Sequence, residues 1–203
     1  RALLIVSTLL LGLSTAQAAG LRRFDMPADP NGPAIRGLVW HPCAQTPHEI
    51  DARDGRTFFA VNDCPIVGDK LPLIVISHGR RGWLGGHHDT AAALADAGFI
   101  VLAINHPTDA GRDTSGTDSL AVMVERPADI KRAIDYALGG WPDAGRIDAA
   151  RIGFYGFSWG GYTGLAVIGG EPDLRKGVPK CQASDLRACK ELEAGQTPSG
   201  PIV

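Results

Sequence analysis

The chain has 203 residues, 44% of them hydrophobic and 21% charged, with 20 Lys and Arg against 22 Asp and Glu for a formal net charge of −2. Length and apolar content suit one domain with a real core and exclude a disordered chain, and without a basic excess nucleic acid is a poor partner. The 26 Gly and 14 Pro follow no period, so they read as many turns rather than a fibrous repeat. From the N-terminus, Arg1 precedes the apolar run Ala2 to Leu13, and Ala16-Gln17-Ala18 follows. A basic start, a short apolar stretch and an Ala-x-Ala ending predict a secretory signal peptide, residues 1–18, cleaved after Ala18. The run is too short for a membrane span, which needs about 20 apolar residues, and no second stretch is long enough. The mature chain, residues 19–203, is therefore expected in the periplasm or medium. The start at Arg1 and the stop at Ile202-Val203 lead us to expect a window on a longer protein.

Residues 20–33 are rich in Pro, Asp and Gly and read as loop. Residues 34–41 and 56–61 are short strand candidates for an antiparallel start of a sheet. Residues 71–77 (Leu-Pro-Leu-Ile-Val-Ile-Ser) form a nearly unbroken apolar run, the pattern of a strand covered on both faces. An Ala-rich helix over 88–97 closes at Gly98, and a second buried strand covers 99–104. A polar loop over 105–118 leads to a mostly helical segment, 119–138, in which Pro127 predicts a kink or a fresh start. A third buried strand covers 151–156 and a short helix 160–168. Strand and helix alternating in this way predict a mostly parallel sheet flanked by helices on both faces. Residues 171–200 are polar and read as an excursion out of the core.

Export changes the reading of the four cysteines. In an oxidising compartment Cys43, Cys64, Cys181 and Cys189 are expected as disulfides. Three pairings are possible, and nearness in sequence favours Cys43–Cys64 and Cys181–Cys189. No pair has zinc-ligand spacing beside a histidine.

The sharpest motif is Gly156-Phe157-Ser158-Trp159-Gly160, an instance of G-x-S-x-G. It follows a predicted buried strand and opens a predicted helix, the context in which a tight turn holds a serine with its oxygen exposed. Glycines flank it because strand and helix leave no room there for a Cβ. A second motif, His78-Gly79-Arg80-Arg81-Gly82, follows the strand over 71–77. A loop of this kind supplies one of two backbone N–H donors to an acyl-transfer oxyanion. The donors are expected to be the amides of Arg80 and of Trp159, with Ser158 as nucleophile and His78 ordering its loop. His87-His88 lack ligand spacing, Asn105-His106-Pro107 reads as loop-shaping, and Arg80-Arg81 as solvated charge.

With residues 71–82, 99–107, 126–130 and 145–153, these motifs resemble the exported bacterial dienelactone hydrolase-like proteins related to platelet-activating-factor acetylhydrolases, in the α/β-hydrolase superfamily. The resemblance spans roughly residues 34–170 and implies a serine hydrolase of small or medium carboxylic esters, working through an acyl-serine intermediate without metal or organic cofactor. Members often have His before the serine and Phe after it; Phe157 and Trp159 stand here, and Trp159 narrows the acyl side. Dienelactone hydrolase proper uses cysteine, so a lactone substrate does not follow from the name.

In this superfamily the chain order is Ser, then Asp or Glu, then His. All six histidines (His41, His48, His78, His87, His88, His106) precede Ser158, and Glu171, Asp173, Asp185, Glu191 and Glu193 sit in polar segments. A serine without a base is a poor nucleophile. The expectation is a hydrolase domain that stops after the elbow helix, with acid and histidine beyond Val203. A serine peptidase or acyltransferase on the same fold, or a non-catalytic exported binding protein, are the alternatives, since fold and elbow do not fix the leaving group.

Overall fold

In the computed structural model residues 18–53, 56–173, 176, 181 and 187–197 are described. In chain order the elements are β1 (Ala18–Met26), β2 (Ile35–Cys43), β3 (His48–Arg53), β4 (Arg56–Asn62), β5 (Leu71–Ser77), α1 (His88–Asp96), β6 (Ile100–Ile104), α2 (Ala121–Gly139), β7 (Ile147–Gly156), α3 (Trp159–Val167) and α4 (Arg187–Glu193). Among the described residues the strands form one sheet in the order β3-β4-β1-β2-β6-β5-β7. β1, β4, β5, β6 and β7 run one way and β2 and β3 the other. The sheet is mixed, mostly parallel and flanked by helices, as the alternation of strand and helix predicts.

The apolar runs explain its two faces. Along β6, Ile100, Leu102 and Ile104 join Leu73 and Val75 of β5 in a core covered by Ile130, Ala133 and Ala137 of α2. The intervening Val101 and Ala103 join Ile76, Trp40 and Phe58 in a second core covered by Ala91 and Ala95 of α1. A period-2 chain buried on both sides requires apolar side chains at every position. Each fully buried Leu or Ile contributes about 1.5–3 kcal/mol.

One expectation fails at the N-terminal side. Residues 20–33 are not all loop, because β1 pairs antiparallel with β2 through Met26↔Ile35. Phe24 and Met26 supply the period-2 apolar side chains, which the Pro, Asp and Gly after them obscured in the sequence. Arg22, a charged residue inside β1, is paired with Asp143 and donates to the Cys64 carbonyl at 3.0 Å. β3 was also missed, since its polar run His48-Glu49-Ile50-Asp51-Ala52-Arg53 suits an edge strand that charge protects from further pairing.

Pro127 lies inside a single α2 rather than at a fresh start. It has no N–H for the Met123 carbonyl four residues back; the Tyr162 hydroxyl of α3 donates to that carbonyl instead, at 3.1 Å. α4, within the predicted excursion, returns to the domain: Leu120 N–H donates to Glu191 Oε2 at 2.7 Å. The leader expected over residues 1–18 lies outside the described residues, apart from Ala18, which opens β1. No described helix is long and apolar enough to cross a membrane.

Both favoured cysteine pairs are disulfides, Cys43–Cys64 and Cys181–Cys189. The first ties β2 to the segment after β4 across a sequence separation of 21. By loop-closure entropy such a link is worth about 3 kcal/mol. The double variant Cys43→Ala/Cys64→Ala is expected to lose about that much in urea unfolding, and a loss under about 1 kcal/mol would contradict this role.

Candidate active site

β5 has parallel neighbours on both sides, β6 and β7. The chain leaves β5 through α1 to one side and reaches β7 through α2 on the other. Such a reversal opens a crevice beyond the carboxyl ends of the strands, where ligands bind in open α/β sheets. The register between β5 and β7 ends at Ser77↔Gly156. The loop beginning at His78 and the turn carrying Ser158 therefore leave the sheet side by side.

The turn is as sharp as the motif requires. Ser158 has φ 53° and ψ −116°, a left-handed conformation that costs a non-glycine residue of order 1–3 kcal/mol. A Cβ on Gly156 would lie 2.2 Å from the Gly160 carbonyl oxygen, and one on Gly160 only 2.0 Å from that of Ser77. Both obstacles are backbone and cannot swing aside. Ser158 is exposed, and among the described residues its hydroxyl has no hydrogen-bond partner. A Cβ on Gly79 would sit 3.1 Å from Phe157 and 3.4 Å from Ser158 Cβ, so the two motifs are in contact. Among the described residues neither the Arg80 nor the Trp159 amide has a backbone acceptor. Both belong to the peptide segments that meet at the serine.

The other singled-out residues fall as follows. His78 is buried; its Nδ1 donates to the Gly79 carbonyl at 2.7 Å and its Nε2 accepts from His106 N–H at 3.3 Å. Both ring nitrogens are used in shaping the loop. His87 is only partly buried and its ring packs against Tyr155 and Phe157 at 5.3 and 5.4 Å. The Arg80 side chain is not free charge: its guanidinium makes a two-pronged pair with Asp118. Among the described residues no group of three His, Cys, Asp or Glu side chains could hold a metal ion. Two concavities, of about 520 and 330 Å³, lie elsewhere, the larger between Ala18, Phe59 and Ala92, and neither is lined by Ser158, Gly79 or Trp159. Among the described residues the serine follows the outermost strand, β7, and Leu165 and Ile168, farther along α3 and just after it, are exposed (64% and 77%).

Beneath this surface is a polar network that sequence reasoning missed. Ser77 Oγ lies 2.8 Å from His106 Nε2, and His106 Nδ1 3.1 Å from Asp129 Oδ2, all buried. Arg126, 1% exposed, donates to Ser77 Oγ at 3.0 Å, to Asp109 Oδ2 at 2.7 Å, to Thr163 Oγ1 at 3.1 Å and to the His78 carbonyl. Only Pro127 in the Arg126-Pro127-Ala128-Asp129 stretch hinted at a special helix; nothing local says that its charges face inward.

Burial sets the protonation of these groups. It lowers His78 from 6.5 to about 4 and His106 well below 6.5, and outside this network it lowers His41 below its ordinary value. Burial also pushes the Asp129 carboxyl up to about 7, against the pull of the Arg132 guanidinium at 3.6 Å. A lowered histidine binds fewer protons folded than unfolded, so its stabilisation is lost as pH falls from 6.5 through the folded value. A raised carboxyl acts oppositely between its ordinary value and 7. Three histidines oppose two carboxyls, Asp129 and the less buried Asp96, which burial also raises, so stability is expected to fall on acidification from pH 6.5 to 4, with His78 alone contributing on the order of 3 kcal/mol. Asp129→Asn removes its opposing contribution and should steepen the fall in urea-unfolding free energy against pH; an unchanged slope would refute the assignment.

No family model matches the chain. It is 31% identical over 106 residues to acylamino-acid-releasing enzyme 2 of Oryza sativa subsp. japonica, covering 50% of this chain and 13% of the relative. It is 30% identical over 104 residues to a probable 2-oxo-3-(5-oxofuran-2-ylidene)propanoate lactonase of Bradyrhizobium sp, covering 50% and 42%. The chain thus spans less than half the length of these curated relatives. Among solved structures it is similar to a ferulic acid esterase from Streptomyces cinnamoneus, with a TM-score of 0.63 and 23% identity over 78% of this chain and 57% of that one. With the strand order, the reversal at β5 and the turn at Ser158, this likeness identifies the fold as that of the α/β-hydrolases.

Proposed function

We propose that the chain carries the nucleophile and oxyanion hole of an exported serine hydrolase of carboxylic esters, of the dienelactone hydrolase-like type. Ser158 Oγ attacks the ester carbonyl and forms the acyl-serine bond as the alcohol leaves with a proton; water then releases the acid and restores the hydroxyl. The Arg80 and Trp159 amides donate to the oxyanion, and loss of one such donor typically slows acyl transfer by roughly 10²–10³-fold. A histidine beyond Val203, oriented by an acid also beyond it, carries the proton. No metal or organic cofactor takes part, and the substrate is a small-molecule ester. The observation that carries this reading is the left-handed, exposed Ser158 against Gly79 at the ends of adjacent parallel strands. Among the described residues no strand pairs with the outer side of β7, which leaves an edge where further sheet could add.

The full-length polypeptide is expected to hydrolyse short chromogenic esters, with Ser158→Ala reducing the rate by about 10⁴-fold or more. The 203-residue chain alone is expected to react slowly with a fluorophosphonate probe. Fast labelling that Ser158→Ala abolishes would instead make an upstream histidine the base. A peptidase reading has one observation in its favour, the likeness to the rice acylamino-acid-releasing enzyme; turnover of acyl-amides faster than matched esters would favour it.

Export is part of the proposal. The Ala16-Gln17-Ala18 ending and the two disulfides support it. N-terminal sequencing of the protein recovered outside the cytoplasm should begin at Ala19. Recovery with residues 1–18 still attached would refute the cleavage.

A further inference from the structure

We propose that Arg126 is a positioning residue for acyl transfer: one buried guanidinium holds both oxyanion donors in a common frame. The inference rests on the acyl-serine reading above and names what fixes its geometry.

The first donor, the Arg80 amide, lies in a short segment gripped on both sides. Ahead of it, the His78 carbonyl accepts from Arg126 Nη2. Behind it, the Arg81 amide donates to Asp109 Oδ1 at 3.2 Å, and Asp109 Oδ2 is the ion-pair partner of Arg126 at 2.7 Å. One ion pair thus pins the peptide units before and after Gly79-Arg80. Thr117 Oγ1 donates to Asp109 Oδ1 at 2.6 Å and keeps that carboxylate in place.

The second donor, the Trp159 amide, is tied to the same group through α3. Arg126 Nε donates to Thr163 Oγ1 at 3.1 Å, and Thr163 Oγ1 donates to the Trp159 carbonyl at 2.9 Å. Tyr162 adds a second tie between α3 and α2 through the Met123 carbonyl that Pro127 leaves free. Ser77 Oγ, which also accepts from Arg126, is held in turn by His106.

Stability alone does not account for this arrangement. A buried ion pair loses much of its attraction to desolvation, and an apolar side chain of the same volume often serves as well. What the guanidinium adds is direction, since its donors radiate in one rigid plane. Here they reach β5, the loop after β6 and α3 at once. A lysine would keep the charge beside Asp109 but could not span the three.

The test uses Arg126→Lys and Thr163→Val in the full-length polypeptide, with functional sites counted by the burst of acylation. For Arg126→Lys, kcat per counted site is expected to fall between about 10- and 100-fold, the scale of a 1 Å misplacement, with KM within about twofold. Amide hydrogen exchange should quicken in residues 78–82 and 157–163 together, with β6 unchanged. Thr163→Val should quicken 157–163 alone and slow kcat less. An unchanged kcat per site, unchanged exchange in both segments, or faster exchange that includes β6 would each overturn the proposal, the last by making Arg126 only structural. Absence of ester turnover in the unsubstituted protein would defeat the hydrolase reading instead, and exchange would still decide whether Arg126 couples the two segments.

Discussion

The parallel pairing of β5 with β7, ending at Ser77↔Gly156, is the constraint on which the rest of the site depends. It brings two backbone segments nearly 80 residues apart in sequence to the same edge of the sheet. The α3 backbone then closes over β5 so tightly that neither Gly156 nor Gly160 has space for a Cβ. That closeness holds Ser158 in its left-handed conformation at an exposed position. Strain at one residue persists because packed backbone on both sides leaves no relaxed alternative.

Beneath the strand ends, charge is buried where hydrophobic packing would ordinarily be expected. Arg126, Asp109, His106 and Asp129 are each at least 95% buried and hydrogen-bonded. Polar groups in such a setting are costly unless satisfied and strongly directional when they are. The network reaches from β5 to the loop after β6 and to α3. The apolar cores provide the sheet's stability; the polar layer joins the loops above it. Desolvation keeps its histidines neutral near pH 7, so they serve as fixed hydrogen-bonding groups rather than charges.

Legibility in the sequence followed the locality of the signal. β5, β6, α1 and the turn at Ser158 were readable because an apolar run, an Ala-rich helix and a G-x-S-x-G turn each announce themselves within about ten residues. β1 and β3 were not. The apolar alternation of β1 is obscured by the Pro, Asp and Gly that follow it, and β3 is a polar run that becomes a strand by pairing with β4. Pro127 predicts a kink or a fresh start because its missing bond is locally unfavourable; the hydroxyl that compensates within one continuous helix, Tyr162, lies 35 residues away. Cys43–Cys64 and Cys181–Cys189 were legible through simple nearness.

By itself, the sequence determined the element types of the central sheet, the nucleophile candidate and the two peptide segments expected to stabilise an oxyanion, since each rests on local backbone and side-chain chemistry. Only the tertiary structure decided that those segments touch, that Arg80 spends its side chain on Asp118, and that Arg126 turns inward to bridge three elements. The physical reason is that burial and strand register arise from the whole packed chain. An arginine on a helix carries no local mark of whether its charge will meet water or three distant partners in the core.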